Sequence, residues 1–354
     1  NALETNPRLA ALAALASYRL EPSVESADAL RQVSDKYTSV VGTTKMSERE
    51  IVKVTHAAKY IVGSDVNGRV SVCKDNMKCV SSIDLNRELS FLEGSIDGQL
   101  VVAVANNTAT FLSMSESGNI TERSRVDITR SVDGADIELV SVIVDSDNDV
   151  RFVYRDGVVD QYDATAEQRD SIRLNSLADP NASENVEYTS AGLYLGGLLT
   201  REPCEDDCFM VGDSLGRIYV YEGHRESLSV VGKLPFENAS IKALACDDQS
   251  VLVATDSAVE VMDQESRVMS SLNLKQSQTL HVHDVKISMN GQIAVLTGGV
   301  LNATTVSYFS GGYRESPAQI ISAMSIGVGG NMIGMVAGTS DGRLVGLNDY
   351  SNET

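Results

Sequence analysis

The chain has no tryptophan, only six phenylalanines and only four histidines. Positive charge is scarce as well, with 29 Lys and Arg against 49 Asp and Glu, a formal net charge of −20. Surfaces that hold phosphate backbones or anionic lipid need dense Lys and Arg, so this balance argues against nucleic acid as a partner. No run approaches the roughly 18 apolar residues of a membrane-spanning helix, so no direct membrane span is expected. The Cys-x-x-Cys spacing of zinc ribbons and thioredoxin-like sites is missing too. So are a phosphate loop, a dinucleotide fingerprint and a plausible catalytic triad, and the sequence calls for no cofactor, no metal and no catalytic residue.

What is present begins with a hydrophobic content of 42%, enough for a core in a chain of 354 residues. The five cysteines form two pairs close in sequence, Cys73 with Cys79 and Cys204 with Cys208, and leave Cys246 over. Two short-loop disulfides and one buried thiol are expected if the compartment is oxidising; five reduced cysteines are the cytoplasmic alternative. Six N-x-S/T sequons, at Asn106, Asn119, Asn181, Asn238, Asn302 and Asn352, are candidate glycosylation sites. All six fall where turns, linkers or the tail are expected. Together with the cysteine pairs they favour the secretory pathway or the cell exterior. The chain opens on Asn1 in place of Met, from which a removed targeting segment or a longer parent protein is expected.

Residues 1–36 read as a helical extension. Asn6-Pro7 is a cap followed by proline at the first helical position, and Leu9, Leu12, Leu15 and Tyr18 recur at helical spacing. Glu21-Pro22 restarts the pattern with Val24, Ala27, Leu30 and Val33 on one face. Packing against its own domain is the expected use of that stripe, with partner binding as the alternative.

From about residue 38 the period changes from helical to alternating, and one unit recurs: a β-rich segment, a small polar turn and a second alternating segment. The copies are YIVGSDVNGRVSVC (60–73), LVVAVANNTATFLS (100–113), VRFVYRDGVVDQYD (150–163), CFMVGDSLGRIYVYE (208–222), VLVATDSAVEVMD (251–263), IAVLTGGVLNATTVSYF (293–309) and MIGMVAGTSDGRLVGLND (332–349). With Gly68, Asn107, Gly157, Gly216, Ser257, Asn302 and Gly342 as turn markers, the steps are 39, 50, 59, 41, 45 and 40 residues. Those steps fit a four-stranded propeller blade with insertions in the middle. The last copy lacks a fourth strand, and an open edge would leave backbone groups unpaired. The segment Tyr37 to Thr44 is therefore expected to complete it.

These units, with the turns DVNGRV, DSLGRI and SDGRLV, resemble seven-bladed β-propellers of the WD40-like and quinoprotein-like repeat superfamilies. Gly223-His224 followed by Met262-Asp263 fits the G-H to W-D spacing loosely, and Tyr162-Asp163, Tyr221-Glu222 and Asn348-Asp349 stand where a W-D pair would. The missing tryptophan and the single G-H pair depart from that pattern. The resemblance implies an all-β fold, a seven-bladed β-propeller over 37–350 closed by an N-terminal strand, between the helical extension and a short tail at 351–354.

Three local patterns suggest chemistry. Gly212-Asp-Ser-Leu-Gly216 fits a hydrolase elbow at Ser214, yet Arg217 to Glu222 reads as a strand where the elbow needs a helix. Asp145-Ser-Asp-Asn-Asp149 has calcium-loop spacing, but Val150 stands where an EF-hand places Gly. His281 and His283 could share a metal, although no third ligand is apparent. The expectation is a turn in the first two cases and a polar strand edge in the third. The functional expectation is a non-catalytic scaffold, a subunit of a larger assembly that binds other proteins through propeller faces and the N-terminal helices. An enzyme or ligand-binding propeller with its site at the channel mouth is the alternative.

Overall fold

A computed structural model describes residues 39–145, 147–177, 186–193, 208–223, 226–233, 240–246, 251–255, 258–262, 268–273, 282–287, 292–297, 300–305, 321–326 and 335–348. The expected helices within 1–36 and the 351–354 tail lie outside these residues.

Among the described residues the fold is all-β, with seven antiparallel sheets of three or four strands and one two-stranded hairpin. Strand β1 (Ser39–Lys45) comes first in the chain but pairs at the far end of it. The first sheet holds β2 (Ile51–Ala57), β3 (Tyr60–Asp65), β4 (Arg69–Lys74) and β5 (Cys79–Asp84). The second holds β6 (Phe91–Gly94), β7 (Leu100–Ala105), β8 (Thr108–Met114) and β9 (Ile120–Asp127). A small hairpin of β10 (Ser131–Val132) and β11 (Ala135–Asp136) precedes the third, which holds β12 (Leu139–Val144), β13 (Val150–Tyr154), β14 (Val158–Tyr162) and β15 (Gln168–Arg173). A single helical turn, α1 (Leu174–Leu177), then leads toward the fourth. That sheet holds β16 (Tyr188–Leu193), β17 (Cys208–Asp213), β18 (Arg217–Glu222) and β19 (Ser227–Lys233).

The fifth holds β20 (Ile241–Cys246), β21 (Val251–Thr255), β22 (Ala258–Met262) and β23 (Val268–Asn273), and the sixth β24 (Val282–Ile287), β25 (Gln292–Thr297) and β26 (Val300–Thr305). The seventh combines β27 (Ile321–Ile326), β28 (Met335–Thr339) and β29 (Arg343–Asn348) with β1, which pairs antiparallel with β29 from Ser39↔Asn348 to Lys45↔Arg343. The N-terminal strand thus supplies the fourth strand that the last repeat lacks.

Burial grades across the sheets whose side chains are described. The second strands β3, β7, β13, β17 and β21 are buried along their whole length. Their sequences accordingly run nearly continuous in apolar residues, as Leu100-Val-Val-Ala-Val-Ala105 does. Fourth strands such as β9 and β15 are largely exposed and carry charge, Glu122, Arg123 and Arg125 on one and Arg169 and Asp170 on the other. Charged edges of this kind discourage pairing with other chains.

Alternation sends one strand's side chains into two cores. On β7, Val101, Ala103 and Ala105 meet the first sheet at Val62, Val70 and Val72. Leu100, Val102 and Val104 meet the third at Val144, Phe152 and Tyr154. Similar cores join the third sheet to the fourth, the fourth to the fifth, and the seventh to the first. With tryptophan absent, the few aromatics concentrate here: Phe152 and Tyr162 meet edge-on at 5.4 Å, and Phe209 and Tyr221 lie 4.9 Å apart. First strands also touch in succession, β2 with β6, then β12, β16, β20, β24 and β27, and β27 touches β2.

On β2, His56 reaches solvent with part of its surface while its Nε2 is shut away from water. Burial lowers its pKa from 6.5 to about 4. The fold therefore holds the imidazole neutral where the unfolded chain takes up a proton. Stability is complete above about pH 6.5 and is lost as pH falls toward about 4, by up to about 3 kcal/mol. Urea denaturation at pH 7.5 and pH 4.5 should show that loss, and His56→Gln should remove most of it. An equal acid sensitivity in the variant would reject His56 as the source.

Candidate interaction surface

Turns between second and third strands, and linkers that enter first strands, lie against one another at one end of the sheets. Leu85 N–H donates to Gly68 O, Ile128 N–H to Asn107 O, Leu174 N–H to Gly157 O, and Met46 and Ser47 N–H to Gly342 O. Most of these turns need a left-handed residue, and Gly68, Asn107, Gly157, Gly216 and Gly342 have φ of 81°, 61°, 80°, 76° and 82°. Five of the seven turn markers read from the sequence are thereby in place. Ser257 lies outside the described residues. Asn302 is a correction: it sits within β26 opposite Val295, in a pairing that runs from Gln292↔Thr305 to Thr297↔Val300.

Polar side chains close the turns. Asp65 Oδ1 accepts the N–H groups of Asn67 and Arg69, and Ser47 Oγ donates to Oδ2 at 2.6 Å. Asp213, fully buried, does more. Its Oδ1 accepts from Leu215 and Arg217 N–H, and its Oδ2 accepts from Arg217 Nε at 2.6 Å and Tyr219 Oη at 3.0 Å. Burial first, and the Asp213 charge second, push the Tyr219 phenol up, so it stays a donor. The same end carries a cleft of about 540 Å³ lined by Lys45, Ser47, Arg49, Asp65, Arg69 and Asp84. Its charges pair internally, Arg69 with Asp84 and Lys45 with the neighbouring Glu48. Small-molecule pockets are mostly apolar, and this cleft is polar.

Beyond the turns stands the β10–β11 hairpin, which the sequence reading missed. Asp133 and Gly134 form its tip with φ of 53° and 82°, the type I′ geometry that a two-residue hairpin favours. All six residues from Ser131 to Asp136 are exposed, Val132 among them, and a Cβ placed on Gly134 would meet nothing within 4 Å. The root is braced. Tyr154 Oη donates to Ile128 O at 2.9 Å, Arg130 lies over the Tyr154 ring, and Arg130 Nε donates to Asp156 at 2.9 Å. Ile137 N–H closes on Arg130 O, Arg155 N–H on Glu138 O, and the Arg155 and Glu138 side chains meet at 2.7 Å.

Where they are described, the residues singled out for chemistry lie in turns or strands. Ser214 sits in the β17–β18 turn, its N–H donating to Glu187 O, and the elbow's helix is replaced by β18. Ser214→Ala should change stability by no more than about 0.5 kcal/mol in thermal denaturation and leave function intact. In the 145–149 turn, Asp145 Oδ1 accepts from Asp147 and Asp149 N–H while Oδ2 takes Arg151 at 2.8 Å. Asp149 is bound by Gln161 and Arg169, and partial burial raises its pKa against those bonds. Those carboxylates serve the turn, and among the described residues no group of three or more His, Cys, Asp or Glu could hold a metal. His283 lies in β24, and His281 is outside the described residues.

Cys73 and Cys79 form a disulfide across β4 and β5. Cys208 is disulfide-bonded, and Cys204 lies outside the described residues. Cys246 ends β20. Asn106 is an exposed turn residue and Asn119 an exposed residue before β9, both open to modification, while Asn181, Asn238 and Asn352 lie outside the described residues. No described helix is long and apolar enough to cross a membrane. No protein-family model matches the chain, and no curated protein matches its sequence.

Proposed function

We propose that the seven sheets are the blades of a closed β-propeller that serves as a non-catalytic scaffold, a subunit binding other proteins in the secretory pathway or outside the cell. Support for the ring comes from the succession of first-strand contacts that returns from β27 to β2, with β1 shared into the seventh sheet. The resemblance to WD40-like and quinoprotein-like repeats points the same way. Support for binding rests on one observation, the braced β10–β11 hairpin. Ordering each of its residues costs about 1–2 kcal/mol of backbone entropy, and all six stay exposed. An element held out at that cost and contributing no core is suited to recognition. Val132 and Ala135, flanked by Asp133 and Asp136, fit an apolar slot with a basic rim.

The test is isolation of the native protein with its neighbours, set beside a variant in which Ser131–Asp136 is replaced by Asn-Gly. Because Ile137 N–H already closes on Arg130 O, the shortened hairpin keeps its root. The wild type should be recovered in an assembly, and the variant should fold with an unchanged Tm and be recovered there at least tenfold less. A wild type recovered as a lone monomer would sink the scaffold reading. For the compartment, intact mass before and after glycosidase and reductant should change with both; no change with either contradicts a lumenal or extracellular location.

A further inference from the structure

The weak point of the β1–β29 pairing is visible in its register. Gly42 faces Gly346, and the pairing slips between Val40 and Gly42. Two opposed glycines bring no side chains to the strand pair, so cross-strand packing is absent where β1 is also irregular. Met77 fills the place. A Cβ built on Gly42 would lie 3.1 Å from Met77 Cγ, so the methionine rests directly over the glycine. Its side chain is buried in the core between the first and seventh sheets, with Ile51, Val54 and Cys73 on one side and Val336 and Leu344 on the other.

Met77 does not reach that position in a relaxed backbone. Its φ is 64°, a left-handed conformation that costs a non-glycine residue free energy, within the loop from Lys74 to Lys78. Met77 N–H donates to Lys74 O, and Lys74 N–H to Lys78 O. The Cys73–Cys79 bond closes the base of that loop. Cys73 is wholly buried and Cys79 partly exposed, so Cys79 is the more accessible half of the bond.

We propose that the Cys73–Cys79 bond is a thiol-controlled latch on β1: closed, it holds Met77 over Gly42 and β1 on β29, and reduced, it lets the loop relax and β1 detach. The reductant is a dithiol. One of its thiolates attacks Cys79 Sγ and forms a mixed disulfide as Cys73 leaves as thiolate. The second thiolate then displaces Cys79, so two electrons and two protons pass to the cysteines and the dithiol becomes a disulfide. The device depends only on the β1–β29 pairing and the Met77 packing.

Hydrogen exchange of the full chain, with and without a dithiol reductant, tests the latch. Reduction should speed exchange of the β1 amides at least tenfold while the β7–β8 amides stay protected. Cys73→Ser with Cys79→Ser should reproduce that pattern without reductant, which separates this bond from the disulfide at Cys208. Met77→Ala, with the disulfide intact, should also expose β1 selectively, and it decides the matter if the double variant fails to fold. Unchanged β1 exchange on reduction overturns the proposal. So does an equal rise in every sheet, which would make the bond a general staple.

Discussion

Asp213→Ala is expected to cost about 4 kcal/mol of stability, because truncating one partner of a buried, hydrogen-bonded ion pair leaves groups that cannot regain water. The carboxylate closes the turn through two backbone N–H groups and binds both Arg217 and Tyr219. Its loss also frees the Tyr219 ring, which packs against Tyr188 at 5.8 Å in the core between the third and fourth sheets. Asp213→Asn should lie between, since an amide oxygen can still accept from the backbone while the charge on Arg217 goes unmatched by this side chain. Urea denaturation of Asp213→Ala and Ser214→Ala side by side is the measurement. Neighbouring residues of one short motif should differ by at least about 3 kcal/mol, and equal effects would reject Asp213 as the anchor of the turn.

Gly342→Val carries a comparable cost through a different cause. At φ of 82° a valine is strained, and its Cβ would lie 2.1 Å from Ser47 O and 2.5 Å from Arg49 O. Backbone cannot swing aside as a long side chain can. Left-handed strain of about 2 kcal/mol adds to about 2 kcal/mol for displacing the 46–50 linker, giving about 4 kcal/mol. Gly134→Val provides the control, because Gly134 has the same φ of 82° with nothing within 4 Å. It should show the strain alone, about 2 kcal/mol. Thermal denaturation of both variants decides: matching losses would mean that the linker does not press on Gly342.

The repeat was legible because its turns need left-handed residues, and glycine or asparagine marks them in the sequence. Gly68, Asn107, Gly157, Gly216 and Gly342 all carry positive φ for that reason. Asn302 misled because asparagine favours turns, whereas the two glycines before Val300 were the stronger signal. The β10–β11 hairpin left only a Gly preceded by Asp133, since strands of two residues are too short to show an alternating period. It nonetheless accounts for part of the long step between Asn107 and Gly157.

Nor could local pattern rank the three Gly-Arg turns. Arg217 is tied to a buried carboxylate, while Arg69 and Arg343 pair on the surface with Asp84 and Asp341. What separates them is depth, set by neighbouring sheets. Met77 is similar: its sequence neighbourhood reads as a polar loop, and only the return of β1 to the end of the chain gives it Gly42 to cover.

Distances between spin labels test ring closure most directly. On a Cys246→Ser background, cysteines at exposed Thr43, Ser82, Thr121 and Ser229 place labels on the fourth strands of the seventh, first, second and fourth sheets. A closed ring makes the 43–82 distance about as short as the 82–121 distance, and both shorter than 82–229. A 43–82 distance longer than 82–229 would contradict the ring.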